Sequence, residues 1–494
     1  MAITDAVRFW FRGEVHELRD VGPLTSVLHW LRAEGRSRGT KEGCNSGDCG
    51  ACTVVLAERD GDGVRVRTAN SCLLLVGMLH GRVLLTVEDV ADDVTLHPVQ
   101  RAMVDHAGSQ CGFCTPGFVM SMWAASEAAA VRGVEPARAE LAESLTGNLC
   151  RCTGYRPILD AAVDATAEVV RRGPRRLAPD PLLAALDELG EPQPLGLVTA
   201  SAAYLAPTTL DELLAALAAN HSARVVAGGT DLVLELRLSG ETLRDGVVLV
   251  STSAVAGLVD IDADAEHLRL GAAARLDDAW AALVDREPGL GRMARRFAGP
   301  AVRGTGTVGG NLVNASPIAD LVPALVALDA EVVVAGPEGL RIVPVDGFAI
   351  GVRRTVLAPG EVVVRVDVPL TAFARSTRAY KVSRRFDDDI STVSAVVGLE
   401  QHGGRIDDVR VVLGGVAMTV VRARAVERSL LGRTWDGETL RAAQAAVGSD
   451  ATPISDHRAS ASYRDRAVRG LLQRWWYETG HDAPSVDLDV WGGR

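Results

Sequence analysis

Apolar and polar side chains alternate through residues 7–18, VRFWFRGEVHEL, on either side of Arg12-Gly13-Glu14, which predicts a β-hairpin with one face on a core. Leu24, Val27, Leu28 and Leu31 then recur at helical spacing, and Gly35 supplies a stop. Two strands, Thr53–Ala57 and Val64–Thr68, are expected around the turn Asp60-Gly61-Asp62-Gly63, and another over Val83–Val87. This first stretch reads as a small mixed sheet packed on one helix. From about residue 95 to 168 the period becomes helical, with Met103, Phe118, Met120, Trp123 and Ile158 as core candidates. Five prolines and clustered charge between Arg171 and Gly196 predict a linker running over the surface. Short valine-rich strands and glycine loops follow to about 375. Beyond them, strands over Thr392–Leu399 and Val409–Leu413 lead into helices ending in Leu471, Leu472, Trp475 and Trp476. No repeat of fixed period is present. The expected organisation is α+β and multidomain, with segments 1–90, 91–168, a linker 169–197, 198–375 and 376–485.

Composition narrows the function. A chain of 494 residues has room for about three or four domains. Its net charge of -11 has no compensating basic block, so neither nucleic acid nor an anionic membrane surface is expected as a partner. The N-terminus carries charges where a secretion signal needs its apolar core, and no uncharged run reaches the roughly 18 residues of a membrane span. A cytoplasmic protein is expected. All eight cysteines fall between Cys44 and Cys152, and none follows.

Cys44, Cys49 and Cys52 have C-x4-C-x2-C spacing, with Cys72 beyond, which is the plant-type arrangement for a [2Fe-2S] cluster. Four thiolates around an anionic cluster need backbone N–H groups aimed at sulfur, and Gly43, Gly47 and Gly50 allow that close approach. A zinc knot fits the x4 spacing less well. The second set, Cys111, Cys114, Cys150 and Cys152, is open on spacing alone between a cluster, zinc and a thioredoxin-like pair. Its context favours the cluster: Thr115-Pro116-Gly117 and Tyr155-Arg156-Pro157 each open a helix just after a cysteine, and helix N-termini favour thiolate.

Residues 224–232, RVVAGGTDL, read as a strand entering a glycine turn whose N–H groups suit a pyrophosphate. Gly304, Gly306 and Gly309 satisfy G-x-G-x-x-G literally. The Rossmann reading fails, because no apolar strand precedes Gly304, Pro317 interrupts the following helix, and Asp329 lies ahead of the next strand. Arg384-Arg385-Phe386-Asp387-Asp388-Asp389-Ile390, as a bare charge run, reads as a solvated turn. The ten histidines form no H-x-x-H pair and are assigned no metal or catalytic role.

The motifs GCNSGDCGACTV, QCGFCTPG and GNLCRCTGYRPI resemble the iron-sulfur module of the xanthine dehydrogenase family of molybdenum hydroxylases. The resemblance implies a β-grasp ferredoxin domain, a helical [2Fe-2S] domain, an FAD domain of the vanillyl-alcohol-oxidase type and an α+β C-terminal flavoprotein domain, to which SDHRASASYR belongs. It makes all eight cysteines cluster ligands and matches Gln110 to a glutamine that contacts the pterin of a partner. It assigns FAD to Val226, Ala227, Gly228, Gly229, Thr230, Asp231 and Leu232, to Thr307, Val308, Gly309, Gly310 and Asn311, and to Ser316, Asp320 and Ile390. Phe297, which alone reads equally as a core aromatic, matches an aromatic beside the flavin, and Arg303-Gly304 departs from the family pattern. It places Arg384 to Ile390 over the flavin face.

The resemblance further implies a large molybdenum-binding partner subunit holding the molybdopterin cofactor, in a heterotetramer of two small and two large chains. Electrons from oxidation of a purine, xanthine to urate, would reach the second cysteine quartet, then the first, then FAD and NAD+. No catalytic side chain is expected in this chain. The alternatives are the same role in a hydroxylase of another N-heterocycle or aldehyde, and a stand-alone flavin and iron-sulfur reductase.

Overall fold

The alternation at the N-terminus builds a hairpin in which Val7–Phe11 and Glu14–Leu18 pair antiparallel, and Arg12 and Gly13 turn the chain with φ of 55° and 89°. In this computed structural model, which describes residues 3–91, 95–175, 177–239 and 246–484, the hairpin joins a five-stranded sheet. The strand order is Glu14–Leu18, Val7–Phe11, Val83–Leu85, Thr53–Asp60, Gly63–Asn70, with Val7–Phe11 and Val83–Leu85 parallel and the other pairs antiparallel. The helix Val27–Ala33, capped by the Ser26 hydroxyl accepting from His29 N–H, lays Trp30 edge-on against Phe9 and Phe11 at 5.2 and 5.5 Å between ring centroids. The mixed sheet on one helix is as the pattern predicts, except that its third strand stops at Leu85 and Val87–Asp89 forms a 3-10 turn.

Helices Pro98–Asp105, Thr115–Arg132, Arg138–Ser144 and Arg156–Arg172 follow, and Met103, Phe118, Met120, Trp123 and Ile158 are all buried. The surface linker expected over 169–197 is a correction. Arg156–Arg172 runs through its start, Pro179–Leu189 is a helix, and Leu195–Val198 is a strand. Pro179 and Pro181 sit in the first helical turn, where proline's missing N–H has no intrahelical partner to lose. Leu182, Ala185, Leu186 and Leu189 fall on one buried face. The prolines mark a helix start, and their number masked the 3,4 spacing behind them.

Two compact units result, Met1–Ala256 with Gly299–Gly306, and Gly257–Ala298 with Thr307–Arg494. The first also holds a four-stranded sheet, Leu195–Val198, Ala202–Ala206, Val247–Ser251 and Arg224–Val226, the last three mutually parallel. In the second, an antiparallel five-stranded sheet orders Ile261–Ala263, His267–Gly271, Val362–Pro369, Glu331–Gly336 and Gly339–Pro344. A second sheet, Ser376–Val382, Val393–His402, Arg405–Gly414 and Val421–Arg422, packs on three C-terminal helices through Val426, Leu440, Leu472 and Trp475. Among the described residues no helix is long and apolar enough to cross a membrane.

His80 adds a pH dependence to the first unit. Its Nδ1 accepts from Arg8 N–H at 3.1 Å, and burial, with Arg8 and Arg82 nearby, pushes the imidazole down to about 4 against a hydrogen bond to the Gln193 backbone. The folded unit therefore prefers the neutral ring, and its stability should fall as pH drops from about 6.5 to about 4 while the unfolded chain takes up the proton. Protection of the Val7–Phe11 amides, taken against the intrinsic exchange rate at each pH, should fall across that range in the wild type and change less in His80→Gln; identical profiles would refute the assignment.

Candidate functional site

The first cysteine quartet is gathered on the loop between the helix Val27–Ala33 and the strand Thr53–Asp60, with Cys72 arriving from beyond the strand Gly63–Asn70. Its thiols fall into two neighbouring pairs, Cys44 with Cys49 and Cys52 with Cys72. Hydrogen bonding from Cys49 is the largest cause holding Cys44 low, at about 4, and hydrogen bonding from Cys72 does the same for Cys52 against burial. Backbone amides point inward: Cys44 N–H lies 3.2 Å from Cys49 Sγ, and Ser46 and Cys49 N–H lie 3.4 and 3.3 Å from Cys44 Sγ. A β-carbon at Gly43 would stand 2.7 Å from Cys49 Sγ, so the glycine is required for the sulfur to sit there. Sulfurs in amide-lined pairs are the donor set an iron-sulfur cluster uses. Among the described residues no three His, Cys, Asp or Glu side chains converge as a shell for one metal ion.

The second quartet pairs Cys111 with Cys152 and Cys114 with Cys150. Cys114 caps the helix Thr115–Arg132, and Tyr155, at φ 67°, precedes the helix Arg156–Arg172. The Phe113 amide is the first cause lowering the Cys111 thiol. Against burial, the Thr153 hydroxyl, 3.1 Å away, lowers Cys150. Burial first raises Cys114, to about 12. Cys111, Cys152 and Gln110 are exposed, with Phe113, Leu149 and Tyr155 exposed beside them. The quartets are tied by backbone: Leu149 N–H donates to Cys49 C=O at 3.0 Å, and Asn148 Nδ2 donates to Gly50 C=O at 3.0 Å.

The flavin residues expected from the sequence divide between the units. Val226 to Leu232 lie in the first, and Phe297, Thr307 to Asn311, Ser316, Asp320 and Ile390 in the second. In the first loop Gly228 and Gly229 are buried, and the N–H groups of Gly228, Gly229 and Thr230 donate to no protein group among the described residues. Gly229 has φ of 72°, and a β-carbon on Gly228 would lie 2.0 Å from Thr305 O. Successive unspent amides beside a surface with no room for a side chain form a cradle for an anionic group, so the loop fits a diphosphate. The second loop differs. Val308 and Gly309 N–H donate to Ala274 and Ala272 C=O, and Gly310 and Asn311 N–H donate to Thr307. Among the described residues the buried Asn311 Oδ1 has no hydrogen-bond partner.

Family descriptions match three segments: "FAD binding domain in molybdopterin dehydrogenase" over residues 199–371, "CO dehydrogenase flavoprotein C-terminal domain" over 378–479, and "[2Fe-2S] binding domain" over 86–163. Xanthine dehydrogenase of Drosophila subobscura is 32% identical over 95% of this chain and 39% of its own. Aldehyde oxidase 3 of Mus musculus is 30% identical over 88% and 36%. Carbon monoxide dehydrogenase from Hydrogenophaga pseudoflava aligns in structure with a TM-score of 0.52 and 30% identity, over 55% of this chain and 94% of the matched one. The chain belongs to the molybdenum hydroxylase family. It is an iron-sulfur and FAD component of such an oxidoreductase, and it spans about two fifths of the length of the curated relatives it matches.

Within this molybdenum hydroxylase component, the remaining expected flavin residues other than Ile390 have internal partners. Phe297 packs against Trp280, with centroids 6.2 Å apart, Ser316 Oγ accepts from Ile318 N–H, and Ile390 is exposed. Asp320 is buried, accepting from Lys381 Nζ at 2.7 Å and from Ser391 Oγ at 2.5 Å. Sequence reading passed over Lys381, whose signal was a lysine on the buried phase of AYKV, and over Asn148 in GNLC. It read Gly117 as part of a helix opening and not as a point of close approach, where its Cβ would lie 2.2 Å from Gly50 O.

Gly117→Ala should force the helix Thr115–Arg132 off the first cysteine loop, at about 1–3 kcal/mol for overpacking, and reduce iron per chain. Unchanged iron content and unfolding midpoint would show that the contact is dispensable. Asp320→Asn leaves the Lys381 ammonium buried beside a neutral amide, a change that typically costs about 3–5 kcal/mol. It should lower the flavin-to-iron ratio and the melting point of the second unit, and an unaltered ratio with unaltered melting would count against the pair.

Proposed function

We propose that this chain is the electron-transfer subunit of xanthine dehydrogenase: a plant-type [2Fe-2S] cluster on Cys44, Cys49, Cys52 and Cys72, a second [2Fe-2S] cluster on Cys111, Cys114, Cys150 and Cys152, and one FAD. The observation that carries the reading is the continuous arrangement within the first unit. There the second quartet is tied through Leu149 to the loop of the first, and the unspent amides of Gly228 to Thr230 lie on a loop whose Gly229 packs on Leu73, next to Cys72. When bound, the clusters carry single electrons and the flavin converts pairs of them to a hydride for NAD+.

The chain's own groups do the holding. Paired thiols and inward amides receive the clusters, and the Gly228–Thr230 amides receive the flavin diphosphate. Within the second unit, Asn311, Asp320, Ser316, Phe297 and Ile390 are the residues that the resemblance assigns to FAD. Gln110, exposed with Phe113, Leu149 and Tyr155 beside the second quartet, suits docking of a large molybdenum-binding subunit at its pterin, because an apolar rim around an exposed redox site favours a partner over water. Two small and two large chains in the cytoplasm are the expected assembly, where eight free thiols remain reduced. The domain types given by the resemblance, β-grasp, helical, vanillyl-alcohol-oxidase-like and α+β, are the reading of segments 1–90, 91–168, 198–375 and 376–485.

A second reading, the same electron-transfer role with another heterocycle or an aldehyde as substrate, draws on aldehyde oxidase 3 and on quinoline 2-oxidoreductase from Pseudomonas putida 86. The latter matches at 29% identity and a TM-score of 0.51, over 56% of this chain and 95% of its own. The test is an anaerobic EPR and absorption titration with iron, flavin and molybdenum analysis of the purified chain. Two [2Fe-2S] signals and one FAD per chain without molybdenum are expected, and Cys49→Ser should remove the plant-type signal while flavin stays bound. Zinc in the second quartet, or both signals intact in Cys49→Ser, would defeat the ligand assignment. Turnover of the complex with xanthine, quinoline and aldehydes separates the two readings.

A further inference from the structure

The helix Leu232–Leu238, which follows directly from the Val226–Leu232 loop, meets the first cysteine quartet at two points. Leu234 packs against the small buried cluster of Leu28, Cys52, Cys72 and Leu73. Three residues on, Arg237 donates from Nη1 to Asn45 C=O and from Nη2 to Cys72 C=O, the latter at 2.5 Å. One carbonyl belongs to the quartet residue Cys72, and the other to Asn45, at φ 56°, the residue after Cys44 on the ligand loop. Asn70 Nδ2 holds the same loop through Gly47 C=O at 2.8 Å.

A guanidinium keeps its charge at any pH the protein survives. Placed on the Cys72 carbonyl and on that of Asn45, next to Cys44, it sets a permanent positive charge beside a group that gains an electron on reduction. Net charge near a cluster is one of the terms that fix its potential. Cys52 and Cys72 are buried, so water does little of this work at their end of the quartet.

We infer that Arg237 is a positioning and tuning residue for the plant-type cluster, raising its reduction potential and fixing the ligand loop against the helix that leads out of the flavin loop. The inference rests on the assignment of Cys44, Cys49, Cys52 and Cys72 as cluster ligands. Its direction is definite: the cation stabilises the more negative, reduced state, so removing it makes the cluster harder to reduce. The second quartet has no such contact with Arg237 and serves as the internal reference.

The experiment is an EPR-monitored redox titration of the full chain, with iron and flavin counted on each sample, for the wild type, Arg237→Lys, and the neutral series Arg237→Gln, Arg237→Met and Arg237→Ala. In neutral variants that retain full iron, the plant-type midpoint should fall, the second cluster's midpoint should stay, and Arg237→Lys should lie closer to the wild type. A plant-type midpoint unchanged in an iron-replete neutral variant overturns the inference. So does loss of plant-type iron from all three neutral variants, because the residue would then be needed to assemble the site and not to tune it. Failure of the underlying ligand assignment would look different: the wild-type chain itself would lack two [2Fe-2S] signals.

Discussion

The first unit depends on backbone meeting backbone at glycine. A β-carbon on Gly50 would lie 2.3 Å from Gly147 O, one on Gly117 would lie 2.2 Å from Gly50 O, and one on Gly299 would lie 2.7 Å from Gly147 Cα. Four chain segments, the first cysteine loop, the start of the helix Thr115–Arg132, the turn before Cys150 and the stretch at Gly299, are thereby pressed to distances that no side chain permits. Gly50 and Gly147 also hold φ of 66° and 84°, where any β-carbon is strained. The Asn148 amide closes the contact, donating to Gly50 C=O and to Thr53 Oγ1 while its own oxygen accepts from Ser121. Two quartets far apart in sequence share a seam of main chain because of these positions.

The same economy of side chains appears at the flavin loops, with opposite outcomes. Among the described residues the Gly228–Thr230 amides are unspent, and the Val308–Asn311 amides are all consumed by neighbouring carbonyls and the Thr307 hydroxyl. Two glycine-rich stretches that look alike as sequence are therefore different tools: one presents N–H groups, the other a rigid turn carrying Asn311. In the second unit, the buried Asp320–Lys381 pair fixes the segment after the turn to the sheet strand Ser376–Val382. Lys381 also donates to Arg296 C=O at 3.0 Å, and Arg296 in turn stacks 4.6 Å over Phe386.

How much of this was legible follows from range. The hairpin at Arg12-Gly13, the cysteine spacing and the helices opened by Pro116 and Pro157 are set by neighbours a few residues apart, and the sequence pattern states them directly. The rejection of a Rossmann turn at Gly304 also holds, since a short helix, Pro300–Arg303, and no strand precedes it. Pro179–Leu189 was lost because proline was read as a breaker and not as a first-turn residue. Lys381, Asn148 and Arg237 were lost for a different reason: their partners lie 61, 98 and up to 192 residues away. A lysine in a strand or an arginine among leucines reads as a surface charge until the fold supplies the group it meets.

The two quartets also differ in exposure in a way that bears on their roles. Cys111 and Cys152 face solvent, and Cys52 and Cys72 do not. Added negative charge at the outer site is screened by water, so that site needs little from the protein. At the buried end of the inner site the same charge is costly unless fixed dipoles and charges replace the solvent. There the guanidinium of Arg237 sits on the Cys72 carbonyl, while the Cys44, Ser46 and Cys49 amides serve the more open end of the loop. Burial of Cys52 and Cys72 and the charge placed on the Cys72 carbonyl thus belong together, since sulfurs shielded from water can gain charge only where the protein supplies the stabilisation that water would have given.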